Sequence, residues 1–310
     1  MIDTDRAAGV LLGAAVGDAL GAGYEFGSAP LGDAPPAMIG GGLGNFAPGE
    51  WTDDTAMTWA VADVAASGVD LRSEAALDAV ALRFRQWYES GPPDIGIQTQ
   101  RVLGLVGREP TGRAMAEAAR SVHERIGRSG GNGSLMRTSP VALAHLDDPA
   151  ALAEAARAVS GLTHHDPEAA DACVLWCLGI RHAALHDAFD LRSGLAWVEE
   201  SRRALWEQRI DTAETESPST FRPNGWVVTA FQAAWSSVVQ TPDTGSHLTD
   251  ALHTAIRIGD DTDTVASIAG AMLGARWGAS AIPAEWLAIC HGYPGLTAED
   301  LRELALRIVP

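Results

Sequence analysis

Two short acidic runs lie about two hundred residues apart: Trp51-Thr52-Asp53-Asp54-Thr55 and Gly259-Asp260-Asp261-Thr262-Asp263-Thr264. Each packs carboxylates and threonine hydroxyls into a few residues and leads into an apolar segment. Carboxylates brought together repel one another and call for a cation. Carboxylate and hydroxyl oxygens are hard ligands, suited to Mg²⁺, Mn²⁺ or Ca²⁺ rather than zinc. If the runs meet in space, they line a site for one or two divalent ions. The competing reading is helix N-capping, which Asp and Thr also favour. Capping accounts for one such residue better than for a Thr-Asp-Asp-Thr run. In the second run Asp261 and Asp263 are two apart, so a turn after Gly259 lets both face one point. The distal Glu of an EF-hand loop is absent.

Three further segments carry chemistry. Gly130-Gly131-Asn132-Gly133-Ser134 reads as a glycine loop at a helix start, whose backbone amides suit a phosphate; a turn with a Ser cap is the alternative. His164-His165-Asp166-Pro167 falls between helices, where a histidine caps, faces solvent or touches substrate. Gly13 and Gly17 permit close helix packing, and Glu25 follows in a loop, as a solvated carboxylate or one that reaches a site.

The elements that must position these residues are helices. Apolar residues at 3–4 spacing predict helices over 7–20, 52–69, 74–90, 113–126, 134–146, 149–161, 167–185, 191–210, 226–239, 248–258 and 264–277. Alternating strand patterns are nearly absent. The expectation is an all-α, compact multi-helix bundle forming one domain over 1–310. The loop over 27–49 is rich in glycine and proline and ends at the first acidic run.

Composition bounds the function. With 46% hydrophobic and 20% charged residues the chain can build a sizeable core. A formal net charge of −18 disfavours nucleic-acid duplexes and anionic membranes. All 22 basic residues are arginine, which excludes a P-loop or Schiff-base lysine. Cys173, Cys177 and Cys290 are the three cysteines, too few for a disulfide framework. The first two are one helical turn apart in an apolar stretch and read as core. The opening Met1-Ile2-Asp3-Thr4-Asp5-Arg6 is no secretory signal, and Asp18 and Arg276 interrupt the longest apolar runs. A cytoplasmic monomer is expected.

In this order, 13–25, 51–57, GNGSLMR at 131–137, 163–167 and 259–267 resemble the ADP-ribosylglycohydrolase family. The resemblance implies an all-α fold and a binuclear Mg²⁺ or Mn²⁺ centre, with Thr52, Asp53, Asp54, Asp261, Asp263 and Thr264 as ligands. It implies hydrolysis of the α-glycosidic bond joining ADP-ribose to an acceptor on a protein or small conjugate, Glu25, Asp54 and Asp261 being the catalytic residues. Glu25 would lie on a flexible loop over the metals as gate or proton-transfer group. Gly131, Asn132, Gly133 and Ser134 would hold the diphosphate and distal ribose, with Met136, His164 and Trp226 beside the substrate. A non-catalytic ADP-ribose binder and a metal hydrolase of another nucleotide-like glycoside or phosphate remain alternatives. Two departures stand out. Asp260 replaces the glycine or asparagine of many relatives, and Trp226 replaces a common tyrosine.

Overall fold

The first helix is apolar on every side, and so it must be covered on every side. A computed structural model of the chain describes residues 3–309, and there α1 (Thr4–Gly21) is buried from Ala7 to Gly21. The stretch Thr4–Gly27 is long and apolar enough to cross a membrane, yet it is wholly buried within the protein. The opening residues 1 and 2, read above with the N-terminus, lie outside the described residues.

Thirteen more helices follow among the described residues: α2 (Asp53–Ala65), α3 (Glu74–Glu89), α4 (Ile97–Leu105), α5 (Gly112–Ile126), α6 (Pro140–Ala144), α7 (Pro149–Gly161), α8 (Pro167–His186), α9 (Glu200–Thr215), α10 (Val227–Gln240), α11 (His247–Ile258), α12 (Thr262–Trp277), α13 (Ala284–Ile289) and α14 (Ala298–Ile308). Their starts follow capping chemistry. Ser73 and Thr111 accept the amides of Ala76 and Ala114, while Asp148 and Asp166 cap helices that begin with proline. The fold is all-α apart from one hairpin of two-residue strands, β1 (His291–Gly292) and β2 (Leu296–Thr297).

The central pair is α1 and α12, also buried along almost its whole length. Small residues let their backbones touch. A Cβ built on Gly13 would stand 2.1 Å from the Gly270 carbonyl oxygen, and one on Gly17 would stand 2.2 Å from that of Ala266. At the lower end the Thr262 hydroxyl donates to the Gly21 carbonyl at 2.8 Å. This seam sets the C-terminus of α1 beside the N-terminus of α12, where the second acidic run begins. Cys173 and Cys177 are buried thiols of the core.

Several expected boundaries shift. The helix expected over 134–146 is broken: Asn132–Ser134 is a 3-10 turn and α6 begins only at Pro140, because proline cannot continue the preceding ladder. The one expected over 191–210 divides into a 3-10 stretch, Arg192–Trp197, and α9. α2 stops at Ala65, short of Val69. Helices α4, α13 and α14 had no expectation. Their periodic segments are short, and α4 follows the breaker-rich Gly91-Pro92-Pro93.

Candidate metal centre

The two acidic runs start two helices, α2 and α12, whose N-termini meet below α1. Carboxylates there also gain from the positive ends of both helices. The contacts span the chain: the Thr52 hydroxyl reaches Asp54 Oδ2 at 3.3 Å and Asp263 Oδ2 at 3.4 Å, and the Thr264 hydroxyl reaches Asp54 Oδ2 at 3.2 Å. Thr52, Asp54, Asp261, Asp263 and Thr264 are all buried. Asp53 is half-buried and accepts the Gly96 amide at 3.2 Å.

No arginine neutralises this group among the described residues, and burial drives every carboxyl in it upward. Asp53 is pushed up to about 8, first by burial and then by Asp94 and Asp18. Asp54 and Asp263 are raised well above the carboxylate range, with burial the first cause and neighbouring carboxylates the rest. Burial also raises Asp261, opposed by hydrogen bonds led by Asn132. Two atoms, Asp54 Oδ1 and Glu25 Oε2, are buried without a donor. Buried acceptors left bare cost free energy. Ligand atoms of Asp18, Asp54 and Asp263 lie within 4.8 Å of one another, as do those of Glu25, Asp261 and Asp263. Two triads sharing Asp263, with bare oxygens, suit hard divalent cations.

Asp18 had no assigned role in the sequence reading. Its carboxylate accepts the Thr52 amide at 3.0 Å, the Thr55 amide at 2.9 Å and the Thr55 hydroxyl at 2.6 Å. Those bonds occupy its oxygens, so it orients the first run from beneath rather than completing a coordination shell. Burial holds its pKa up at about 6 despite these donors. The Gly17-Asp18 pair was visible in the sequence, but what it touches depends on the α1 seam.

Above the carboxylates opens a cavity of about 440 Å³. Its floor includes Asp53, Asp261, Asp263 and Thr264, and Glu25 closes one side. Glu25 ends a 3-10 turn continuous with α1, rather than standing in the open loop beyond. Burial and then Asp261 push its pKa up to about 9. The next residue, Phe26, takes φ +46°, and its amide donates to the Asp260 carbonyl at 2.6 Å. Asp260 itself turns outward to pair with Arg222, so it does not add charge to the floor.

The glycine loop forms the opposite wall, and Gly131, Asn132, Gly133, Met136 and His164 all line the cavity. Asn132 bridges wall and floor, donating to Asp261 Oδ2 at 2.7 Å and to the Asn224 carbonyl at 3.1 Å. A Cβ on Gly131 would come within 3.3 Å of His164 Nε2, so the histidine needs bare backbone there. Arg137, fully buried, donates to Thr163 Oγ1 at 2.6 Å and to the Gly133 carbonyl at 3.0 Å. The Thr163 proton is then left for His164 Nδ1, 2.7 Å away. That network assigns the neutral tautomer with Nε2–H aimed at the loop. Burial, then Arg137, lowers the His164 pKa well below the usual value and keeps it neutral.

Two expected residues fall elsewhere. Ser134 is fully buried, and its hydroxyl accepts Ser160 Oγ at 3.0 Å instead of facing the cavity; the 3-10 turn rolls it under the loop. Trp226 is half-exposed on an adjoining cavity that shares Arg128, Gly131 and Gly225 with the first. Arg209 lies 5.7 Å from its ring centre. Asp94, Gln98 and Arg101 also line the main cavity. No short-range pattern marks them, because the loop before α4 brings them in.

A family model described as ADP-ribosylglycohydrolase matches residues 2–310. An ADP-ribosylarginine hydrolase, Tri1, of Pseudomonas putida (strain GB-1) is 32% identical over 293 residues, covering 91% of this chain and 73% of its own. The ADP-ribosyl-[dinitrogen reductase] glycohydrolase of Rhodospirillum rubrum is 32% identical over 289 residues, with 91% and 89% covered. The human ADP-ribosylhydrolase ARH3 is 27% identical over 286 residues, with 78% and 75% covered. A solved structure titled ADP-ribosylglycohydrolase-related protein complex superposes with a TM-score of 0.69 at 28% identity, covering 98% of this chain and 97% of that one.

Proposed function

Because this chain belongs to the ADP-ribosylglycohydrolase family, we propose that it is a divalent-metal-dependent hydrolase that releases ADP-ribose from an ADP-ribosylated acceptor. One observation carries the reading. Two acidic runs about 210 residues apart converge into one buried carboxylate group without a cationic side chain, at the floor of a cavity walled by a glycine loop.

In this reading Thr52, Asp53, Asp54, Asp261, Asp263 and Thr264 hold two ions, Mg²⁺ or Mn²⁺. Such ions polarise substrate oxygens and lower the pKa of a bound water. The chain's own residues do the rest. Bare backbone at Gly131 and Gly133 admits a diphosphate close to the loop, and the His164 Nε2–H supplies a fixed donor beside it. Asn132 braces Asp261, so the loop and the floor move as a unit. Asp18 fixes the Thr52 and Thr55 amides and with them the start of α2. Glu25, with one oxygen free of donors, is the group able to move a proton at the cavity wall. Overall the bond from ribose C1 to the acceptor breaks, a water oxygen takes its place on C1, and the acceptor leaves with a proton.

The test is a panel of arginine-, serine- and nucleobase-linked ADP-ribose conjugates with Mg²⁺, Mn²⁺ or EDTA. Intact ADP-ribose, released with metal and lost in EDTA, is expected. AMP or free phosphate as product, or full activity in EDTA, would overturn the reading.

A further inference from the structure

The first acidic run has a second face. Behind Asp53 and Asp94, which line the main cavity on one side, lies another cavity of about 460 Å³ that the same two carboxylates line from the other. Thr52 also opens onto it. The cavity therefore adjoins the carboxylate group directly. Its remaining walls include Trp51, Trp87 and Tyr293, with Glu50 at the side. Tyr293 is half-buried and set edge-on to Trp59 at 5.7 Å.

The charge of the two cavities differs. Arg101 and Arg128 line the first, and neither has a carboxylate partner among the described residues. That end suits an anion. The second has three carboxylates on its walls and no arginine; His291 is its one other titratable side chain besides Tyr293. Asp94 accepts the amide of its own neighbour Ile95 and has no ion-pair partner among the described residues. Aromatic walls with carboxylates at one edge are the surroundings in which a planar guanidinium is held, by stacking and by charge-assisted hydrogen bonds.

Resting on the glycohydrolase reading, we propose that this second cavity receives the acceptor side chain, and that it selects a cationic acceptor of the guanidinium class. The substrate then lies across the Asp53–Asp94 ridge. Its diphosphate points toward the glycine loop and the arginines, and its guanidinium enters the aromatic, acidic side. A neutral acceptor such as a serine side chain finds no partner there that water does not offer equally well.

The experiment compares kcat/KM on arginine-linked and serine-linked ADP-ribose for the wild type, Asp94→Asn and Tyr293→Ala, with folding checked by circular dichroism and Mn²⁺ affinity by calorimetry. The arginine-to-serine ratio should fall about tenfold in each variant, mainly through KM. An equal fall on both conjugates, or none, overturns the proposal. An equal fall with weakened Mn²⁺ binding would instead assign Asp94 to the metal group. Should the wild type cleave no conjugate, the glycohydrolase reading fails, and the cavity is judged separately by titrating agmatine, a small guanidinium. Agmatine binding that is lost in Asp94→Asn supports the cavity's cation selectivity; no binding to the wild type overturns it.

Discussion

Asp54 has one carboxylate oxygen within reach of two threonine hydroxyls and the other with no donor at all. A side chain in that state is poised for a cation, and removing its charge should be costly. We expect Asp54→Asn and Asp263→Asn each to lower ADP-ribose release by roughly 10²–10³, the scale on which a single electrostatic contact to the reacting centre acts. Helicity should stay unchanged, and product chromatography with circular dichroism checks both. Asp18→Asn should act at one remove. It keeps the shape but loses the charge that gathers the Thr52 and Thr55 donors. Divalent-ion affinity should fall by about 10–100-fold, read by calorimetry, with a smaller loss of turnover at saturating metal.

At the scale of elements, the α1–α12 seam sets where the carboxylates stand. A Cβ on Gly270 would meet the Gly13 carbonyl oxygen at 2.1 Å, and neither backbone can yield without separating the helices. Gly270→Ala should destabilise by about 3 kcal/mol or more. Gly104→Ala in α4 faces open space and should be neutral or stabilising by about 0.5–1 kcal/mol. Denaturant midpoints of the two variants give the contrast. The same seam shows what could be read from sequence. Amphipathic spacing located the long helices, and the two acidic runs could be matched by composition alone. Asp94 and the second cavity could not be found that way, because a proline-rich loop with no periodicity carries them to the ridge. Ser134 misled because a glycine loop before an apolar stretch looks like a helix start, while Pro140 delays the helix and turns the serine under the loop.

For the molecule as a whole, the buried carboxylates link stability to pH. In the folded chain Asp18, Asp53 and Glu25 keep their protons up to about 6, 8 and 9, whereas unfolded Asp and Glu lose theirs near ~4. The folded state thus holds more protons between these limits, and stability falls as pH rises through them. Without metal, the thermal midpoint should be higher at pH ~5 than at pH ~8.5, and added Mn²⁺ should raise it most at the higher pH. The −18 net charge pushes the same way. Asp263→Asn changes that total by one charge and should flatten the slope far more than one charge in eighteen would. The pairing of α1 with α12 also has a consequence for how the protein is made. Gly21 and Thr262, which meet at the end of the seam, are 241 residues apart. At a synthesis rate of ~5–20 residues per second, α1 leaves the ribosome on the order of ten to fifty seconds before its partner exists. Throughout that interval a helix apolar on all sides has nothing native to cover it, so the nascent chain should depend on chaperones that shield apolar segments during translation.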